Sequence, residues 1–121
     1  MAQIGMRFGK KPPAAKAMRV RELVERAHRT LERSFGPVWV EGEIANLKLA
    51  PSGHAYFSLR DGDANLNCAM WRSNVQRLQF RLEGGKQVRV QGKLGIYVAQ
   101  GRFQMYVERA EPAGVGDLMA R

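Results

Sequence analysis

Tyr56-Phe57-Ser58-Leu59-Arg60-Asp61 is the stretch on which the fold turns. Its alternation puts Phe57 and Leu59 on the inner face of a strand from about His54 to Arg60, and leaves Tyr56, Ser58 and Arg60 on the outer face. Pro51-Ser52-Gly53 before it and Asp61-Gly62-Asp63 after it are turn sequences, the second short enough for a hairpin. Beyond that hairpin Leu66, Cys68 and Met70 fall on the inner side of a third strand, with Asn65, Asn67, Ala69 and Trp71 outside. Upstream, Val38, Val40, Gly42 and Ile44 alternate with Trp39, Glu41, Glu43 and Ala45 in a first strand, where mid-strand Gly42 marks a bend or bulge.

On either side of this block the period changes. Val20, Leu23, Val24, Ala27, Leu31 and Phe35 share one face of a helix that Gly36-Pro37 stops. Trp39 is expected to pack beneath it. After the third strand, Ser73 is a good N-cap, and Val75, Leu78, Gln79 and Leu82 repeat at helical spacing up to Gly84-Gly85. Val88, Val90, Gly92, Leu94 and Ile96 then alternate through a fourth strand, and Phe103, Met105 and Val107 through a fifth, with a polar loop between Tyr97 and Arg102. This order predicts a mainly β protein: a five-stranded Greek-key barrel of the oligonucleotide-binding kind, the OB-fold, with a helix between strands 3 and 4 and an additional N-terminal helix. The expected division is a basic, disordered tail over 1–17, the leading helix over 18–36, the barrel over 37–113 and the start of a linker over 114–121.

At 121 residues the chain has room for one domain with a modest core. Its net charge of +9 points toward a polyanionic partner. Residues 1–36 hold nine basic and three acidic side chains, so two thirds of that excess lies ahead of the barrel, where it serves equally well as a solubilising extension. The single Cys68 has no disulfide partner, and His28 and His54 stand apart without metal-ligand spacing, so neither a metal nor another cofactor is expected. No apolar run reaches the ~20 residues that span a bilayer, and none near the start is long enough for a signal-peptide core; no membrane partner and a soluble cytoplasmic location are the expectation. Glu41, Glu43, Asp61 and Asp63 do not make a metal-dependent nuclease site, because the two aspartates are explained by their turn and no histidine or further carboxylate completes the set. Neither Cys68 nor Ser58 has an assigned base, so no catalytic residue is placed in this chain.

The blocks Val38-Trp39-Val40-Glu41-Gly42-Glu43-Ile44-Ala45-Asn46, Ser52-Gly53-His54-Ala55-Tyr56-Phe57-Ser58-Leu59-Arg60-Asp61, Cys68-Ala69-Met70-Trp71-Arg72 and Glu111-Pro112-Ala113-Gly114-Val115-Gly116 occur in succession. Together they resemble the N-terminal domain of the exodeoxyribonuclease VII large subunit, over nearly everything from Arg19 to Leu118. The resemblance implies a module that binds single-stranded DNA for a nuclease degrading it to oligonucleotides without a required divalent metal. It also implies a catalytic domain beyond Arg121, and small subunits recruited by regions outside this chain. The Tyr56 to Asp61 stretch is similar, more loosely, to a strand of the anticodon-binding barrels of class II aminoacyl-tRNA synthetases. That likeness implies a base stacked at Tyr56 and base-edge hydrogen bonds at Asn67.

Single-strand binding by a barrel needs flat rings for bases and cations for the backbone. Tyr56 is the first stacking candidate, followed by Trp71 and Tyr106. Lys48 and His54 flank the loop between the first two strands; Arg60, Arg72, Arg77 and Arg102 are the cations expected to border a groove, with Asn46, Asn67 and Gln104 as hydrogen-bonding partners. Outward Glu41 and Glu43 oppose phosphate, so the path must avoid them. Two alternatives stay open: a stand-alone module for RNA or tRNA, and a protein-interaction barrel.

Overall fold

A computed structural model of the chain describes residues 16–113. Helix α1 (Val20–Phe35) leads into strands β1 (Pro37–Leu49), β2 (Ala55–Asp61) and β3 (Ala64–Met70), the short helix α2 (Arg72–Val75), and strands β4 (Gln87–Tyr97) and β5 (Arg102–Pro112). The strands close into a barrel in the order β1-β2-β3-β5-β4, with β3 and β5 parallel and every other pair antiparallel. The predicted tail and linker fall outside the described residues, apart from Lys16 and Ala17. No helix among the described residues is long and apolar enough to cross a membrane.

The alternation in the sequence becomes the wall of the barrel. Ile44, Phe57, Leu59, Cys68, Met70, Val88, Val90, Leu94, Met105 and Val107 fill the interior, with Val38, Val40 and Leu66 half-buried against them. Burial pushes the Cys68 thiol up to about 12, because the dry interior disfavours the thiolate. Phe103 departs from the expected inner set: it lies beyond the last core layer, opposite Ile96 near the hairpin end, and is exposed.

Two irregularities shape the sheet. Strand β1 runs past its expected end at Ala45 because the pairing shifts by one residue between Ala45 and Lys48. Asn46 sits there at φ 53, a left-handed backbone that asparagine tolerates better than most residues. The extra residue turns Leu47 toward the core and brings Lys48 to the outer side, opposite Tyr56. Between β4 and β5 a second shift falls at Gln91/Gly92, where the strands approach so closely that a methyl group on Gly92 would meet the Tyr106 carbonyl.

The connection from β3 to β4 differs from the sequence expectation in extent. Its helix is one turn, begun at Trp71 rather than Ser73. Leu78, Phe80 and Leu82 then face inward at every second position. The spacing of Leu78 and Leu82 suits a helix and an extended chain alike; burial of Phe80 between them decides for the extended form. Helix α1 rests on the outer side of β4, yet none of its side chains is fully buried. Val24, Ala27 and Leu31 of its apolar face are half-buried, and a polar tie adds to them: His28 lies over Gly95, where a Cβ would come within 2.7 Å of the ring, and its Nδ1 accepts the Ile96 N–H at 2.9 Å. Trp39, expected beneath α1, is instead 46% exposed with the Arg89 guanidinium 5.7 Å from its ring centroid.

Candidate nucleic-acid interface

The strand register lines up the outer side chains in rows running across the strands. One row reads Lys48, Tyr56, Ala69, Tyr106, Lys93, each residue paired with the next on the neighbouring strand. With strands about 4.8 Å apart, it spans roughly 19 Å. Two residues along, the next row reads Ala45, Ser58, Asn67, Gln104, Gly95. A third holds Glu43, Arg60 and Asn65. The first row offers rings between two cations, and the second offers amides beside small residues. Ala69 and Ser58 are buried on this outer side, so the floor between the larger side chains is low.

Over this floor lies an open groove of about 450 Å³ whose lining includes Asn46, Lys48, Tyr56, Asn67, Arg102 and Gln104. These are six of the residues singled out in the sequence, drawn from four strands. Tyr56 is 38% exposed on this face. His54, Trp71 and Tyr106 form a second cluster beside it. The His54 and Trp71 rings meet edge-on at 5.1 Å, the Trp71 and Tyr106 rings lie tilted at 5.9 Å, and the Arg72 backbone N–H donates to His54 Nδ1 at 2.8 Å. Trp71 remains 43% exposed. The Arg72 side chain packs against Gly53 of the β1–β2 turn, next to this cluster.

Not all the expected residues converge. Arg77 is on a separate cavity of about 930 Å³, among Trp39, Asn74, Phe80 and the end of β5 from Glu108 to Pro112. Arg60 sits on the outer face but directly across from Glu43, which offsets its charge. The same register places the two glutamates away from the Tyr56 row: Glu43 is opposite Arg60 at the end of the face, and Glu41 is opposite Arg89 on the β1–β4 side. Among the described residues no group of three or more His, Cys, Asp or Glu side chains is placed to hold a metal ion.

Two residues belong to the face that the sequence reading did not select. Lys93 ends the first row, and exposed Tyr97 pairs with Arg102 at the hairpin beside the groove. Alternation along β4 turns both outward and could have flagged them. Which strands flank β4, and hence which row Lys93 joins, is set by pairing that no local pattern encodes.

A closed five-stranded Greek-key barrel with aromatic, amide and cationic side chains across one outer face defines an oligonucleotide-binding barrel. The chain belongs to the OB-fold nucleic acid binding domain family, whose sequence profile matches residues 18–111. It is 41% identical over 116 residues to the exodeoxyribonuclease 7 large subunit of Koribacter versatilis, covering 96% of this chain and 25% of that protein. It is 46% identical over 88 residues to the large subunit of Nautilia profundicola, covering 73% and 20%, and 44% identical over 99 residues to that of Stutzerimonas stutzeri, covering 82% and 22%. The chain thus spans a quarter or less of the length of these relatives. Among solved structures, a replication protein A heterotrimer bound to single-stranded DNA aligns with TM-score 0.53 at 18% identity, over 70% of this chain and 64% of that one. Entamoeba histolytica asparaginyl-tRNA synthetase aligns with TM-score 0.55 at 16% identity, over 66% and 21%. At such identities these two likenesses describe the fold alone.

Proposed function

We propose that this chain is the single-stranded DNA-binding portion of an exodeoxyribonuclease VII large subunit, holding DNA for a catalytic region that cuts it to oligonucleotides in the cytoplasm. Catalysis and contact with small subunits belong, in this reading, to the three quarters or more of the relatives' length that the chain does not match. The observation that carries it is the row Lys48, Tyr56, Ala69, Tyr106, Lys93. Bases stack on the tyrosines, the amides of Asn67 and Gln104 reach base edges, and the cations at either end meet phosphates. Duplex DNA does not suit such a face, because paired bases keep their ring faces stacked inside the helix. The assignment of residues 1–17 as a tail and 114–121 as a linker belongs to the same proposal.

The test is a fluorescence-anisotropy titration of a labelled oligo-dT at two salt concentrations, with duplex DNA and RNA as competitors. With three to four cations engaged, log K should fall against log salt with a slope of roughly −2 to −3. Single-stranded DNA should compete best. Preferential competition by RNA would move the assignment to an RNA module, and absence of binding at low salt would make the barrel a protein-interaction domain.

A further inference from the structure

Four rings follow one another along the outer face: His28 from α1, Tyr106 from β5, Trp71 after β3 and His54 before β2. Tyr106 and Trp71 are 5.9 Å apart and Trp71 and His54 5.1 Å. His28 and Tyr106 both close over Gly95, where a Cβ would lie 2.7 Å from the first ring and 3.3 Å from the second. The two end rings are tied down in the same way. His28 Nδ1 accepts the Ile96 N–H at 2.9 Å, and His54 Nδ1 accepts the Arg72 N–H at 2.8 Å. Each bond requires a bare Nδ1, so each ring carries its proton on Nε2, which for His28 faces Glu32 Oε2 at 3.4 Å.

Building on the single-strand interface proposed above, we propose that His28 and His54 are positioning residues, clamping the ends of the ring line so that Tyr106 and Trp71 present their faces to bases. A proton added at Nδ1 turns the acceptor into a donor facing another donor, and the clamp opens. At His54 the Arg72 backbone N–H loses its partner and the Trp71 edge contact slackens. At His28 the helix loses its hydrogen bond to β4, the polar tie of an element with no fully buried side chain. The charged and titratable groups on the surrounding elements are, for His28, Glu32 on its own helix, Lys93 and Tyr97 two residues to either side of Gly95 on β4, and Tyr106 on β5; for His54 they are Arg72, whose N–H it accepts, and Lys48 on the neighbouring strand β1. The sign is opposite to that of a direct phosphate contact. Histidines that touched the backbone would tighten binding on acidification, whereas clamping histidines loosen it.

The experiment measures oligo-dT affinity at fixed salt from about pH 7.5 to about pH 5.5. The protein is compared with His28→Asn/His54→Asn, in which the amide oxygen near the Nδ1 position accepts the N–H at every pH, and with His28→Ala/His54→Ala. The expected wild-type result is a loss of roughly five- to tenfold in affinity across the range, about the worth of one hydrogen bond. The asparagine pair should show a flat profile; the alanine pair should be weak throughout. Affinity that rises toward acid in the wild type, or a profile shared with the asparagine pair, overturns the clamp. If nothing binds at the upper pH, the interface itself fails, and the clamp is then decided by Trp71 emission in a Trp39→Phe background. An emission change on acidification that the asparagine pair abolishes supports it; an unchanged emission refutes it.

Discussion

Adjacent residues Tyr56 and Phe57 should fail in opposite ways. Phe57 is 4% exposed in the centre of the barrel, so Phe57→Ala removes a buried ring at a cost of about 3–5 kcal/mol. For a domain near this size each 1 kcal/mol shifts the melting temperature by roughly 4–8 °C, so the fall is on the order of 12–40 °C and the variant is near the limit of folding. Tyr56 lies on the other side of the same strand, between Lys48 and Ala69. Truncating it removes cross-strand contacts worth roughly 0.2–1 kcal/mol, a shift of a few degrees. Its stacking on a base, about 1–3 kcal/mol, converts to a roughly five- to 150-fold weaker Kd. Thermal melts and oligo-dT titrations on the two alanine variants read both quantities. A Tyr56→Ala protein that melts as early as Phe57→Ala, or binds as tightly as wild type, would refute the assignment of that side chain to the interface.

Three further outcomes follow from particular contacts. Arg102→Ala, on the groove, should weaken binding and flatten the salt slope by roughly 0.7, whereas Arg77→Ala, on the separate cavity, should change neither; salt-dependent titration of both variants checks this. Gly92→Ala should be among the most destabilising single-methyl changes, because the new group meets the Tyr106 backbone rather than a side chain that can move; urea denaturation reads it. Cys68 should resist iodoacetamide in the native protein at pH values near 8 and react once unfolded. Its folded pKa of about 12 stands above the ordinary 9.0, so its contribution to stability is complete below 9.0 and lost as the pH rises toward 12. Denaturation at alkaline pH should therefore show a smaller loss of stability for Cys68→Ala than for wild type.

What could be read from the sequence was the periodicity, and that carried far. Phe57 against Tyr56, Cys68 against Asn67 and Met105 against Gln104 are sorted by alternation alone, because a two-residue repeat leaves no choice once one face is buried. The break at Asn46 was not legible. A bulge adds one residue without altering the local pattern, and it is the bulge that carries β1 onward and puts Lys48 opposite Tyr56. Arg77 lies away from the groove for a related reason: the segment from Leu78 to Leu82 is extended rather than helical, and local spacing does not say where an extended segment carries the arginine. The ring line was half visible, with Trp71, Tyr106 and His54 each named as contacts. Their mutual arrangement depends on the parallel pairing of β3 with β5, and the inclusion of His28 on a helix docking over Gly95, both of which join residues distant in sequence.

The most direct test of where nucleic acid lies is a map of backbone amide chemical shifts on adding oligo-dT. Perturbations should concentrate at Lys48, Tyr56, Asn67, Gln104, Tyr106 and Lys93, leaving the Trp39 and Arg77 cavity unchanged. A map centred on that cavity or on α1, with the Tyr56 row silent, would contradict the interface.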